Sequence, residues 1–398
     1  MSVEHRVPEA METCACPLCG SREAGKIVGT RGRFGVAVTN VVCPVCALVY
    51  VNPRPTREAM AAYYAEEYRP HFEARGVGYV TQAGTTVTPD DPAFDAEKEA
   101  WHESQARTSW LLSRMRRGMR VLEVGCRHGR TLALQRERYG IEPFGIEPDR
   151  TEAAKARAAG IECHAGVLEE FEPGARRFDV IQIFHVLEHL HDPLDALLRF
   201  RSWLEPQGKL VIEVPNVHQP YGSLEGNFFQ NAHLTSLSAD TLEALLFRAG
   251  FRPIQVLDRG VLLIVAELDE LATDVPRPYA LAPREAKQDA DWVHACLRSY
   301  AELFDLALRI QAGSFDLADI ERAAALYRGP CFTAFALESL APTVEALARQ
   351  GAPRTALHLA RALAEGPQPD DARGAVLHLV HELTLLVVEH ERARPATL

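Results

Sequence analysis

No stretch of this 398-residue chain approaches the ~20 uninterrupted apolar residues that a bilayer-spanning helix needs. The N-terminus, MSVEHRVPEAMET, has neither a basic start nor an apolar core, so no secretory signal is read there and a cytoplasmic location is expected. Long basic runs are missing too, and the formal net charge is −11. That argues against a nucleic-acid backbone as the main partner, because such partners want clustered Lys and Arg. Internal repeats and low-complexity tracts are absent. What remains, 47% apolar and 24% charged residues, is ordinary for a globular protein. The length allows two or three domains.

Cysteine is unevenly spread. Five of the nine fall within the first 46 residues, in CACPLCG and CPVC. In a reducing compartment such clustering points to metal rather than disulfides. Cys16 with Cys19, and Cys43 with Cys46, are two C-x-x-C pairs, each able to present two thiolates to one ion. Together they predict a closed, structural four-cysteine zinc site on a small ribbon. Cys14 is a spare that could replace Cys16. Prolines 53 and 55 end the module, and Thr56 is positioned to cap a helix carrying Met60, Tyr63 and Tyr64. The stretch from about 70 to 95 reads as a loop.

From about residue 97 apolar runs of four to eight alternate with amphipathic helices, which predicts a parallel sheet covered on both faces. The runs FRPIQVLD and GVLLIVAEL have only Arg259 and Gly260 between them, too few for a crossover, so an antiparallel hairpin is expected at the sheet edge. Beyond about 270 an Ala/Leu-rich series of amphipathic helices carries no motif with evident chemistry, and packing or homodimerisation is its expected use. The expected division is a zinc ribbon (1–55), a linker and lid helix (56–96), an α/β domain (97–268) and a helical domain (269–398).

The chemistry is concentrated in VLEVGCRHGR, residues 121–130. The strand delivers Glu123 to the carboxyl edge of the sheet, Gly125 permits a sharp turn against a ligand, and Gly129 lets the next helix start close by. The following strand ends in Glu147, about twenty residues on, where a carboxylate can accept both ribose hydroxyls. A dinucleotide or S-adenosylmethionine fits such an arrangement. The spacing does not match G-x-G-x-x-G, and an acid before the first glycine suits a cationic amino group better than a pyrophosphate.

VLEVGCRHGR, FGIEPD, GVLEEF and FDVIQIFHVLEHLHDP, in that order, resemble the motifs of class I S-adenosylmethionine-dependent methyltransferases. CPLCG…CPVCALVYVNPRPTREAMAAYY is similar to a subgroup with an N-terminal zinc-binding domain, which includes deoxysugar C-methyltransferases. The resemblance covers roughly residues 14–268. It implies a Rossmann-like sheet flanked by the zinc ribbon and the helical C-terminal domain. It implies that Glu123, Gly125, Cys126 and Gly129 surround the methionine part of the cofactor, that Glu147 holds the ribose and that Pro148 shapes the adenine pocket. Val167 and Leu168 would lie near the adenine, and Phe184 and His185 would close over the cofactor. Arg127 stands where the family usually has glycine.

Methyl transfer needs an aligned acceptor and, for a hydroxyl or carbon acid, a base. His185, Glu188, His189, Asn216, His218, Glu225 and His233 are the candidates beyond strands four and five. His233 is preferred, because the similar sugar enzymes have a catalytic histidine in the same frame. Those enzymes place a glutamate just before it, where this chain has Ala232, and a nearby tyrosine is replaced in the region of Gln230. O- and N-methylation therefore stand beside C-methylation. His185, Glu188 and His189 could be read as metal ligands, but a helix-cap and cofactor-edge role suits a stretch directly after a strand better. The expected acceptor is a nucleotide-linked sugar or natural-product intermediate. A protein or RNA methyltransferase docking through the ribbon and helical domain is one alternative, and a cofactor-binding scaffold without catalysis is another.

Overall fold

The computed structural model describes residues 10–64, 79–80, 86–87, 92–259, 261–272, 275–278, 290–329, 334–365 and 370–393. Within the stretch expected to be a loop, two short strands, β6 (Tyr79–Val80) and β7 (Thr86–Val87), pair antiparallel; much of the remainder lies outside the described residues.

The small N-terminal module holds β1 (Met11–Glu12), β2 (Lys26–Arg31), β3 (Ala37–Val42), β4 (Val49–Val51) and β5 (Arg54–Pro55). Strands β2, β3 and β4 form an antiparallel sheet. Its fourth strand is β13 (Thr235–Ser236), which comes from far along the chain and pairs with β4. A two-residue strand cannot be seen as a period-2 pattern, so the sequence held no sign of this pairing. Thr56 caps the helix Arg57–Ala62 as expected, its hydroxyl accepting from the Ala59 amide at 3.3 Å.

The main sheet comprises β8 (Arg120–Val124), β9 (Glu142–Glu147), β10 (Glu162–Ala165), β11 (Phe178–Phe184), β12 (Leu204–Pro215), β14 (Phe251–Arg259) and β15 (Val261–Leu268). Its order is β10-β9-β8-β11-β12-β15-β14. The first five strands are parallel, and β15 and β14 run antiparallel to their neighbours. The hairpin closing the sheet is thus as expected, with β14 at the edge; Gly260 lies outside the described residues. Val121, Leu122, Ile181, Ile183, Leu210 and Ile212 are fully buried. Successive residues of a strand face opposite sides, so both faces are covered. Burying each such side chain contributes about 1.5–3 kcal/mol. Sheet order reverses between β8 and β11, and ligands of open α/β sheets bind in the crevice at that point, beyond the carboxyl ends of the strands.

Helices Ala290–Gln311, Leu317–Tyr327, Ala334–Arg349, Pro353–Glu365 and Asp370–Ala393 form the C-terminal region. Val293, Leu297 and Tyr300 of the first share a core with Val28, Val42 and Val49 of the ribbon. His294 Nε2 lies 3.1 Å from the Ile27 carbonyl. The helical region therefore packs on the ribbon. Among the described residues no helix is long and apolar enough to cross a membrane.

Candidate functional site

The ribbon gathers Cys16, Cys19, Cys43 and Cys46. Two knuckles do this with one repeated geometry. The Cys16 and Cys43 carbonyls accept from the Gly20 and Ala47 amides at 2.9 and 3.0 Å. Gly20 and Ala47, each following a second cysteine, have φ of 77° and 59°. Sγ atoms lie 3.5 Å apart for Cys16–Cys46 and 3.6 Å for Cys19–Cys43. Four thiolates at about 2.3 Å from a tetrahedral zinc stand roughly 3.8 Å apart, so the donor set fits zinc. Cys14 stands outside the group, its backbone bonded to the Asn52 side chain.

The glycine loop follows β8. Gly125 has φ 75°, and a Cβ there would meet Val186 Cγ2 at 2.4 Å. Only glycine fits both demands. Gly129 has φ 76°, and an added Cβ would press on Ile161 and Ala156 at 3.0 and 3.3 Å, so its bare backbone lets helix Arg130–Tyr139 approach the neighbouring layer. Arg127 also has positive φ, 51°, which explains why glycine suits the position. Its side chain is exposed while its amide donates to Glu147 Oε2 at 2.8 Å. Glu147 Oε1 accepts from the Asp149 amide at 2.9 Å. The buried carboxylate thus ties the glycine loop to the β9 turn. Cys126 is buried, its sulfur 3.7 Å from that of Cys163.

Glu123 ends a chain of polar side chains that the sequence reading missed. Gln182, fully buried in β11, donates from Nε2 to Glu123 Oε2 at 3.0 Å. Gln182 Oε1 accepts from Ser109 Oγ at 2.8 Å and from Gln135 Nε2 at 3.0 Å. Burial pushes the Glu123 carboxyl up to about 8, against the Gln182 bond, with the Glu147 charge adding to the rise. A glutamine inside the apolar run FDVIQIF was the available signal, because a polar side chain there must find partners. Leu168 and Phe184 are buried, and Pro148 and Val167 half-buried, at the ends of β9, β10 and β11.

His185 leaves β11 with φ 53°. Its Nε2 faces Glu213 Oε1 at 3.3 Å, and its Nδ1 is 3.7 Å from Glu188 Oε1. Burial lowers its pKa, but the Glu213 contact and charge outweigh that and leave it raised. Beyond His185, Glu188, His189 and His233 converge, with one ligating atom of each within 4.8 Å of the others. The His189 and His233 rings are 4.7 Å apart at 87°. Tyr64 Oη is 2.9 Å from His189 Nδ1, and Gln230 Nε2 is 2.7 Å from His233 Nε2. Burial pushes His189 down to about 4 and His233 well below its usual value. Both rings are therefore neutral near pH 7.

The other candidates are not gathered here. Asn216 turns to Asp258, the His218 ring packs 5.6 Å from Trp292, and Glu225 is exposed. The ribbon does reach the cluster. Arg33 donates to the Gly226 carbonyl, the Arg33 amide bonds the Phe229 carbonyl at 3.0 Å, and the Arg33 charge bears on both His189 and His233. The cluster is thus bordered by three parts of the chain.

Residues 99–256 match a family model described as a methyltransferase domain. A tRNA U34 carboxymethyltransferase of Methylococcus capsulatus is 30% identical over 35% of this chain and 47% of its own length. A ubiquinone biosynthesis O-methyltransferase of Bradyrhizobium diazoefficiens is 30% identical over 25% of this chain and 41% of its own length. The chain therefore spans less than half the length of either relative. Among solved structures, the 1,6-didemethyltoxoflavin-N1-methyltransferase of Burkholderia thailandensis is 17% identical, covering 61% of this chain and 100% of that one at a TM-score of 0.41. The strand order and the glycine loop of residues 99–256 thus lie within the stretch that this methyltransferase-domain model matches.

Proposed function

We propose that the chain transfers the methyl group of S-adenosylmethionine to an oxygen or nitrogen of a small-molecule acceptor, a natural-product intermediate or nucleotide-linked sugar. What supports this reading is that Glu123, Gly125 and Glu147 stand at the carboxyl ends of β8 and β9, while His185 directly follows the neighbouring β11 and Glu188, His189 and His233 gather beyond it. In this reading Glu123, Gly125, Cys126 and Gly129 receive the methionine part. Glu147 takes the ribose hydroxyls while its loop bonds keep it aligned. Pro148, Val167 and Leu168 frame the adenine, and Phe184 and His185 close over the cofactor. His185, His189 and His233 would then lie on the acceptor side, and the bound cofactor would supply the methyl group. A neutral His233 can accept a proton from an acceptor hydroxyl or amine as the new bond forms, whereas a charged one could not. Ala232 leaves it without the adjacent carboxylate of the similar C-methylating enzymes, which favours the more acidic O–H and N–H acceptors.

The four cysteines hold a structural zinc in this proposal. The ion would fix the two knuckles, leaving no thiolate free for chemistry. An RNA acceptor is the second reading, favoured by the likeness to tRNA U34 carboxymethyltransferases and opposed by the net charge of −11.

Calorimetry with S-adenosylhomocysteine tests the cofactor site. The wild type is expected to bind in the micromolar range, and Glu147→Ala at least thirtyfold more weakly, about 2 kcal/mol. Radiolabelled methyl transfer to panels of small molecules and of bulk tRNA then separates the two acceptor classes. A folded chain that binds no S-adenosylhomocysteine would sink the proposal.

A further inference from the structure

We propose that His185, oriented by Glu213, is the group that takes the acceptor's proton during methyl transfer. The inference rests on the methyltransferase reading above and deepens it, moving the base from His233 to His185.

The other two imidazoles are already engaged at both nitrogens. Gln230 Nε2, an amide donor, lies 2.7 Å from His233 Nε2, and the same ring bonds the Phe228 backbone. Tyr64 Oη lies 2.9 Å from His189 Nδ1, and that ring bonds the Ala232 backbone. Either ring must give up a buried hydrogen bond before it can accept a proton. Such a loss is costly in a site sealed from water.

His185 is placed differently. Its amide bonds the Glu213 carbonyl at 2.8 Å, which seats the end of β11 against β12. Its backbone is left-handed, at φ 53°, a conformation that persists where the surroundings hold it and that gathers at active sites. Nε2 faces Glu213 Oε1 at 3.3 Å. Gln105, on the helix Phe94–Ser113, donates from Nε2 to that same oxygen at 2.9 Å and so fixes the carboxylate. Nδ1, on the other side of the ring, is 3.7 Å from Glu188 Oε1, too far for a hydrogen bond. The His185 side chain is 26% exposed, against 15% for His189. With its Nε2 proton turned to Glu213, the ring keeps the Nδ1 lone pair for a substrate. This is the order in which a nucleophile's base is oriented by a third group. Glu213 is the positioning residue, and its charge offsets the imidazolium that forms.

In the step itself, Nδ1 takes the proton of the acceptor O–H or N–H while that oxygen or nitrogen bonds the methyl carbon. The electron pair of the broken S–CH3 bond stays on sulfur, and the imidazolium later releases its proton to solvent. Burial pushes the His185 ring down, but the Glu213 contact and the Glu213 and Glu188 charges outweigh it, so the ring titrates above its usual 6.5. The groups around it are Glu213, Glu188, His189 and His233. Glu213 is held ionised by His185 against its own burial, Glu188 is pushed up to about 7 by burial, and the two histidines are neutral near pH 7.

The test is an NMR titration of the full, zinc-loaded chain, saturated with S-adenosylhomocysteine and carrying isotope-labelled histidine. The His185 resonance is assigned by its loss in His185→Gln. It should titrate above 6.5 while His189 and His233 stay neutral. Glu213→Gln, nearly the same shape, should lower the midpoint by about one pH unit or more, since burial then acts unopposed by the nearer carboxylate. On an acceptor found with radiolabelled methyl, kcat should rise with pH through the wild-type midpoint. His185→Gln should lower kcat about 100-fold or more, and Glu213→Gln should move the rising limb to lower pH, which loss of packing alone would not do. A wild-type His185 midpoint below 6.5 would overturn the proposal without any acceptor in hand. So would a kcat flat from about pH 5.5 to 8, the profile expected of a base as depressed as His233. Failure of the wild type to bind S-adenosylhomocysteine is a separate result and bears on the methyltransferase reading alone.

Discussion

Binding of the cofactor should expel a proton from Glu123. This carboxyl is 6% exposed at the carboxyl end of β8, and burial raises its pKa from the usual 4.5 to about 8. The unfolded chain loses the proton near 4.5 while the folded chain keeps it until about 8. Across that window the folded state binds more protons, so this group's contribution to stability falls as pH rises. The full gap is on the order of 5 kcal/mol at about 1.4 kcal/mol per pH unit. A cationic amino group placed beside Glu123 favours the carboxylate and reverses the effect of burial. S-adenosylhomocysteine, which carries that amino group, should therefore bind with release of nearly one proton per chain around pH 6.5. Its affinity should tighten by up to about tenfold per pH unit between roughly pH 5 and 8. Calorimetry in buffers of different ionisation enthalpy counts the proton directly. Glu123→Gln should bind with no net release and a nearly flat pH profile. Equal release in wild type and variant, or none in either, would refute the assignment of Glu123 to the amino group.

Arg127→Gly should leave S-adenosylhomocysteine affinity within about threefold, because the side chain is exposed and the amide that bonds Glu147 is kept by glycine. Relief of a left-handed arginine, about 1–2 kcal/mol, is partly offset by the ~0.4–1 kcal/mol of extra freedom that glycine gives the unfolded chain; a tenfold change in affinity would show that the side chain itself takes part. Cys46→Ser should abolish stoichiometric zinc at the ribbon and lower Tm by several degrees, read by metal analysis and thermal unfolding, since zinc binding at such sites is also folding energy. An unchanged Tm with one zinc retained would mean that the ion is held elsewhere.

The main sheet was legible because its strands are runs of four to eight apolar residues, and burial on both faces writes that pattern directly. The glycine loop was legible for a related reason: Gly125 and Gly129 answer local backbone demands. Arg127 shows the limit of that reasoning, since a left-handed arginine at φ 51° obeys no composition rule, and its amide bond to Glu147 becomes visible only in the fold. The histidine cluster was half legible. His185, Glu188 and His189 lie together in the chain, but His233 joins Glu188 and His189 through the fold of residues 216–234, while His218 and Glu225 from the same stretch go elsewhere. Tyr64, read as a core aromatic, became visible as a partner of His189 only once the ribbon was docked. Long-range placement of this kind leaves no local period to read.

The pairing of β13 with β4 has a consequence for synthesis. The four ribbon cysteines, Cys16 to Cys46, leave the ribosome long before residue 235, so an ion can bind them early. The sheet beside them gains its last strand only when Thr235 and Ser236 emerge, just after His233. Until then β4 is an open edge, with Val49, Tyr50 and Val51 bare. The nascent ribbon thus waits through most of the catalytic domain's synthesis, and its completion and the seating of His233 become a single event. A gene fusion that exchanged residues 1–55 alone would sever that event.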